Sequence, residues 1–237
     1  MTTGSRNGRT LKKQVLAVLE DDDFEAKMSE LFRFPAIKVV NVLFSLLLNP
    51  DETIRWRAVS AMGAAMDALA RTDMEAARVV MRRLMWSLND ESGGIGWGAP
   101  EVMGEVMTRN EALADEYATI FISYLDERGN FLEYEPLQRG LLWGLVRLAR
   151  LRPELLESAG PLLRRFLDST DPTVRGLAAM AAGLLKIRGC RSVLRALTDD
   201  DSGLRIYVEP GFLHRRIGDL AEEALGLLDN GEASLAG

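Results

Sequence analysis

Asp51–Gly63 reads DETIRWRAVSAMG, and Asp171–Gly183 reads DPTVRGLAAMAAG. Each opens on an aspartate, passes through a β-branched residue and an arginine, and ends in small residues and a glycine. An aspartate just before a helix accepts hydrogen bonds from its first free amides and suits the positive end of its dipole. The closing glycines belong to a series, Gly63, Gly104, Gly144, Gly183 and Gly226, spaced 41, 40, 39 and 43 residues apart. Around each, apolar residues recur at the i, i+3, i+4 interval of one helix face, as in APEVMGEVM and GLLWGLVRL.

Before each of these helices another helix ends and runs into a polar turn: LLLNPDETIR, WSLNDESGGIG, SYLDERGNFLEYE, RFLDSTDPTVR and ALTDDDSGLRIY. Asn, Asp, Ser, Thr and Pro at such places stop one helix and cap the next. The unit is therefore helix, turn, helix, repeated about every 40 residues. No segment alternates with period two over several strands, so no extended sheet is expected. A pair of this size buries little alone and gains a core by stacking on its neighbours. The expected fold is all-α: a right-handed α-solenoid of about five helical pairs. Residues 1–34 are expected to form a disordered N-terminus and a helical cap, 35–229 the repeat array, and 230–237 a flexible tail. Within the last turn, Leu204, Ile206 and Val208 alternate with Arg205, Tyr207 and Glu209. With Glu209–Gly211 as a turn and Phe212–Leu213 returning, this predicts a small β-hairpin before a final helix over 213–228.

The two quoted segments resemble the second helix of HEAT-like repeats, in the short bacterial form that includes the PBS-lyase HEAT-like type. The matching positions are Asp51, Ile54, Arg55, Ala58 and Gly63, and Asp171, Val174, Arg175, Ala178 and Gly183. Three copies depart: Ile95 and Ile217 are each followed by glycine, and the copy around Gln138–Arg139 has an open register. Ala58, Ala99, Ala178 and Ala221 stand five residues before their glycines, where small side chains let helices approach. Arg139 takes that place in the third repeat, through either a shift of register or a polar seam.

Composition narrows the function. A net charge of −6 and a pI of about 5.1 argue against a partner held through phosphates, which favours a basic face. Cys190 is the one cysteine, so no intrachain disulfide forms and a reducing compartment fits. No run of 18 apolar residues predicts a membrane span, and MTTGSRNGRTLKK lacks the apolar core of a secretory leader, so a cytoplasmic protein is expected.

The chief irregularity is Asp90–Glu101, DESGGIGWGAPE. Trp97 aligns with Trp56, both seven residues before their glycines, so they are expected as neighbours on one ledge. Glu101 and Arg139 fall about one repeat apart and suggest an ion pair; Glu135 shares its helix with Arg139 and Trp143. Trp56, Trp97, Glu101, Glu135 and Arg139 are the candidate partner-binding residues on a concave face. The competing reading is that Gly93–Gly98 only closes a longer turn, with Pro100 in the first helical turn and Trp97 in the core. The string lacks the Lys and Ser of a phosphate loop and follows no strand.

His214 and Cys190 are single residues of their type, which gives no zinc set, and Cys190 reads as a small packed residue. His214, Arg215 and Arg216 fall at the start of the predicted last helix, a poor place for cations, and are expected to pair with Asp199–Asp201 or face a partner. The acidic runs Asp21–Asp23 and Asp199–Asp201 lack EF-hand spacing and read as caps. The methionines clustered in repeats one and two read as core. No catalytic constellation, cofactor or metal is expected. The expected function is a non-enzymatic scaffold for a protein or peptide on its concave face, of open oligomeric state. The resemblance carries two alternatives: a DNA-binding, alkylpurine-glycosylase-like protein, echoed by Arg55, Arg57, Arg139 and Arg175 with Trp56 and Trp97, and a lyase or chaperone for a cofactor-bearing protein.

Overall fold

The structure is a computed structural model that describes residues 3–89 and 95–233. Gly93 and Gly94 of the glycine-rich stretch and the last four residues of the predicted tail lie outside the described residues. The chain falls into two compact units: one holds the residues up to Leu113 together with Tyr207–Gly211, the other holds Ala114–Ile206 and the chain from Phe212 onward.

In the first unit α1 (Thr3–Glu20), α2 (Phe24–Lys27) and a 3-10 segment (Met28–Arg33) lead into α3 (Ala36–Leu46) and α4 (Glu52–Thr72). They are followed by α5 (Met74–Ser87) and α6 (Ala99–Arg109). α1 begins at Thr3. α4 packs against α3, α5 and α6. Its small buried residues Ala58, Ala61 and Ala65 let the neighbouring backbones close in. Gly63 shows how close: a Cβ there would lie 2.6 Å from Glu105 Cγ on α6.

The second unit holds most of α7 (Glu111–Ser123), then α8 (Glu135–Ala149), a 3-10 segment (Pro153–Ala159) and α9 (Gly160–Leu167). α10 (Pro172–Leu184), a second 3-10 turn (Arg188–Cys190) and α11 (Arg191–Leu197) follow, and α12 (Ile217–Ala233) closes the chain. α10 packs against α8, α9 and α12. A Cβ at Gly183 would come within 2.6 Å of Ala224 Cα, the same close approach that Gly63 makes in the first unit. Helix pairs in this order, with α4 packed on α6 in one unit and α8 on α10 and α10 on α12 in the other, are the predicted helical repeat.

Two motif residues explain how α4 and α10 start. Asp51 accepts from the Ile54 amide at 3.1 Å and Asp171 from the Val174 amide at 3.0 Å, so both are side-chain N-caps. Arg55 then reaches back to the Asn49 and Pro50 carbonyls, at 2.9 and 3.2 Å. Arg175 does the same to the Ser169 and Thr170 carbonyls, at 2.7 and 3.0 Å. The Asp ties down the amides of its helix and the Arg ties down the carbonyls of the turn before it, satisfying polar groups from both sides.

The predicted hairpin is present as β1 (Gly203–Val208) paired with β2 (Gly211–Arg216). Its alternation breaks at one place. Leu204 and Ile206 are buried as expected, but Tyr207 is buried too, and Val208 is 45% exposed. Tyr207 belongs to the first unit, where the Trp56 ring covers it. The hairpin also corrects the start of the last helix. His214–Arg216 lie on β2 and α12 begins at Ile217, so only Arg216 abuts the helix start, where Asp219 of the first turn offsets its charge. Arg216 bonds Asp201 at 2.9 Å and Asp219 at 3.0 Å, and Arg215 pairs with Glu223.

Candidate functional site

The second helices carry the chemistry, and each unit presents its own part of it. In the first unit α6 starts differently from α4 and α10. Its N-cap is Gly98, in a left-handed conformation with φ 76°, and no side chain caps its amides. Pro100 occupies the first turn, so Gly98 and Pro100 together set the direction of entry. Gly98 sits against Leu47. Trp97 is 43% exposed and Ile95 49% exposed, so this tryptophan is not core.

Glu101 lies one turn into α6. Its Oε2 is sealed from solvent and has no hydrogen-bond partner. Burial pushes its carboxyl up to about 7, against the helix amide at Glu101 and the charge of Arg55, which both favour the ionised form. A buried carboxylate oxygen without a donor costs about 1–3 kcal/mol. The oxygen is closed to solvent, so the unmade hydrogen bond is a local cost of the fold.

Trp56, one turn into α4, stacks on Tyr207 with ring centroids 5.1 Å apart. The Tyr207 hydroxyl is buried; burial pushes it up to about 12, with hydrogen bonding to Ser60 acting the other way. Two residues on, Glu209 meets Arg109 of α6 at 3.2 Å, and Arg109 is held at 2.6 Å by the fully buried Glu105. Ser60, Glu105, Arg109, Tyr207 and Glu209 are absent from the residues singled out by sequence. One signal marks Glu105: it follows its repeat glycine where Ala64, Leu145, Leu184 and Leu227 follow theirs.

In the second unit Glu135 is exposed at the first turn of α8 and lies 3.4 Å from the Thr170 hydroxyl. Arg139 is exposed at the place the other repeats give to alanine, and its guanidinium bonds Asp171 Oδ2 through Nε at 2.9 Å and through a second nitrogen. Burial raises Asp171, but Arg139 and the Val174 amide outweigh it and hold the carboxyl below the usual range. Arg175 repeats the device one helix on, bonding Asp200 at 2.9 and 3.0 Å. Arg139 thus reaches from α8 to the aspartate that starts α10, and Arg175 from α10 to an aspartate in the turn before the hairpin. Arg139 forms a polar seam in the helical register, and its guanidinium is committed to Asp171 rather than to a glutamate.

Other features offer less. Cys190 is 1% exposed and burial pushes its thiol up, which removes the thiolate a nucleophile needs. A cavity of about 220 Å³ near α1 is lined by Gln14, Val18, Asp21, Lys27 and Leu31. Asp21 and Lys27 already pair there at 2.7 Å, and the volume falls below the range of ordinary ligand pockets. No helix among the described residues is long and apolar enough to cross a membrane.

No family model matches the chain. A protein of Archaeoglobus fulgidus described only as uncharacterized is 28% identical over 147 residues, 62% of this chain and 73% of its own length. The fold is similar to that of an engineered protein, with a TM-score of 0.55, 18% identity, and coverage of 94% of this chain and 97% of the other. It is also similar to a designed armadillo repeat protein solved in complex with the peptide (KR)4, with a TM-score of 0.53 and 15% identity, covering 92% and 99% of the two chains. At these identities the likeness speaks for a helical-repeat fold.

Proposed function

We propose that this chain is a non-enzymatic scaffold of HEAT-like repeats whose second helices hold an extended segment of a protein partner. The observation that carries the reading is the start of α6, where the exposed Trp97 stands four residues from the unpartnered, buried Glu101 oxygen. An indole supplies a flat apolar face at low entropic cost. Trp56 stands in the same unit with its ring stacked on Tyr207; in the other unit Glu135 is an exposed acidic side chain and Arg139 an exposed base paired with Asp171. The resemblance to a designed repeat protein that was solved with a peptide supports a repeat of this kind as a peptide-binding frame.

Panning a display library of random extended peptides against the full chain tests this. The reading expects enriched peptides whose binding falls at least about tenfold in Trp97→Ala and in Glu101→Gln, a loss of about 1.4 kcal/mol or more. No enrichment over a globular control, or binders indifferent to both substitutions, contradicts it.

A further inference from the structure

The first unit already holds the tip of a hairpin, its own Tyr207–Gly211, and the way it is held describes a ligand. Tyr207 near the end of β1 and Glu209 in the turn after it both reach the second helices. The tyrosine ring lies on Trp56 at 5.1 Å with 14° between planes, its hydroxyl is buried near Ser60, and Glu209 reaches Arg109. Val208 between them is exposed, as a residue facing away from the seat must be. The receiving groups come from α4 and α6 and are held without the hairpin. Trp56 and Ser60 are fixed on one helix, and Glu105, wholly buried, orients Arg109 at 2.6 Å. Gly63 leaves the room that Glu105 occupies.

We propose that Trp56 and Arg109 form a recognition site for a hairpin tip of a protein partner that carries an aromatic residue and, two positions on, a carboxylate, with Tyr207–Val208–Glu209 as its resident occupant. The inference rests on the scaffold reading and names the partner chemistry for one of its sites. The stacked indole selects the aromatic, the guanidinium selects the acid, and the helix-bound spacing of the two selects the two-residue interval between them. A partner segment binds by replacing the tip, so the wild-type chain is a weak binder whose affinity is masked by its own tip.

The test uses a labelled peptide that reproduces Leu204–Leu213 and measures its anisotropy with the full chain. Two variants vacate the seat: Tyr207→Ala with Glu209→Ala, and the milder Glu209→Ala alone, which keeps the ring stack and so guards against loss of folding. The expected result is at least tenfold tighter binding by the double variant than by wild type and a several-fold gain by the single one. Peptides carrying Tyr207→Ala or Glu209→Ala lose at least tenfold on the vacated chain, and adding Arg109→Gln to either variant removes the gain. Equal affinity of the wild-type chain and the folded single variant overturns the proposal. So does a concentration-dependent wild-type dimer that Glu209→Ala abolishes, since the tip would then serve a second copy. Trp97-dependent binding of library peptides that persists under either result leaves the scaffold reading standing and removes only this site.

Discussion

Trp56 and Tyr207 stack at 5.1 Å, and this contact accounts for two departures from pattern at once. It buries a tyrosine on the strand face that the alternation assigns to solvent, and it covers the indole that the repeat alignment places beside Trp97. Its removal is therefore informative. Tyr207→Ala should destabilise the chain by about 3 kcal/mol, the cost of deleting a buried aromatic. Urea unfolding followed by tryptophan fluorescence checks this; a change below about 1 kcal/mol shows that the ring is not part of the packed interior.

The repeat glycines make a matched pair of predictions. Gly63→Ala places a methyl 2.6 Å from the Cγ of the buried Glu105, and overpacking of this kind costs about 1–3 kcal/mol. Gly226→Ala on α12 meets nothing within 4 Å and should stabilise by about 0.5–1 kcal/mol, because alanine replaces glycine inside a helix. Thermal melts of the two variants should move in opposite directions. Shifts of the same sign refute the stacking geometry proposed for these positions.

Glu101 predicts a slope in stability with pH. Its folded carboxyl titrates at about 7, above the ordinary 4.5, so the folded state holds a proton that the unfolded state has lost between those values. Its contribution is fully present below about 4.5, declines as pH rises, and is gone above about 7. The change is on the order of 3 kcal/mol. Glu101→Gln removes that slope whatever its constant cost, so the variant gains on wild type between pH 5 and pH 8. Parallel stability curves over that range rule out a sealed carboxyl.

Asp171 behaves the other way. Held low by Arg139 and the Val174 amide, it stabilises the fold above its unfolded value near 3.8, and that stability is lost as pH falls through the lower folded value. Arg139→Ala leaves a buried N-cap carboxylate short of a donor and should cost about 1–2 kcal/mol at pH 7. The deficit should shrink below pH 4, where the carboxyl takes up a proton. Acid titrations of both proteins by circular dichroism check the convergence, and a deficit that stays constant to pH 2 refutes the pairing.

Much of this architecture is written in short-range chemistry. The 40-residue spacing, the aspartate caps at Asp51 and Asp171 and the alternation of Leu204 and Ile206 are local signals, and the helices and hairpin follow them closely. The places where pattern misleads are those governed by partners distant in sequence. Tyr207 is buried because of Trp56, and Val208 is exposed as a result. His214–Arg216 look like a helix start until β2 pairs with β1 and delays α12 to Ile217. Glu105 is a visible oddity in an apolar stripe, but its guanidinium partner's second contact, with Glu209, lies 100 residues away. Glu101, Glu135 and Arg139 can be placed on their helices from sequence, whereas Trp97 falls in the turn before Gly98. Which of them is committed elsewhere depends on the next repeat, as the Arg139–Asp171 bond illustrates.

Hydrogen exchange of the full chain, with and without a saturating library-selected peptide, tests the central claim most directly. A segment held by the second helices should slow exchange in the opening turns of α4 and α6, around Trp56 and Glu101, and leave α3 and α5 unchanged. Protection confined to α3 and α5, or none at saturation, contradicts the account.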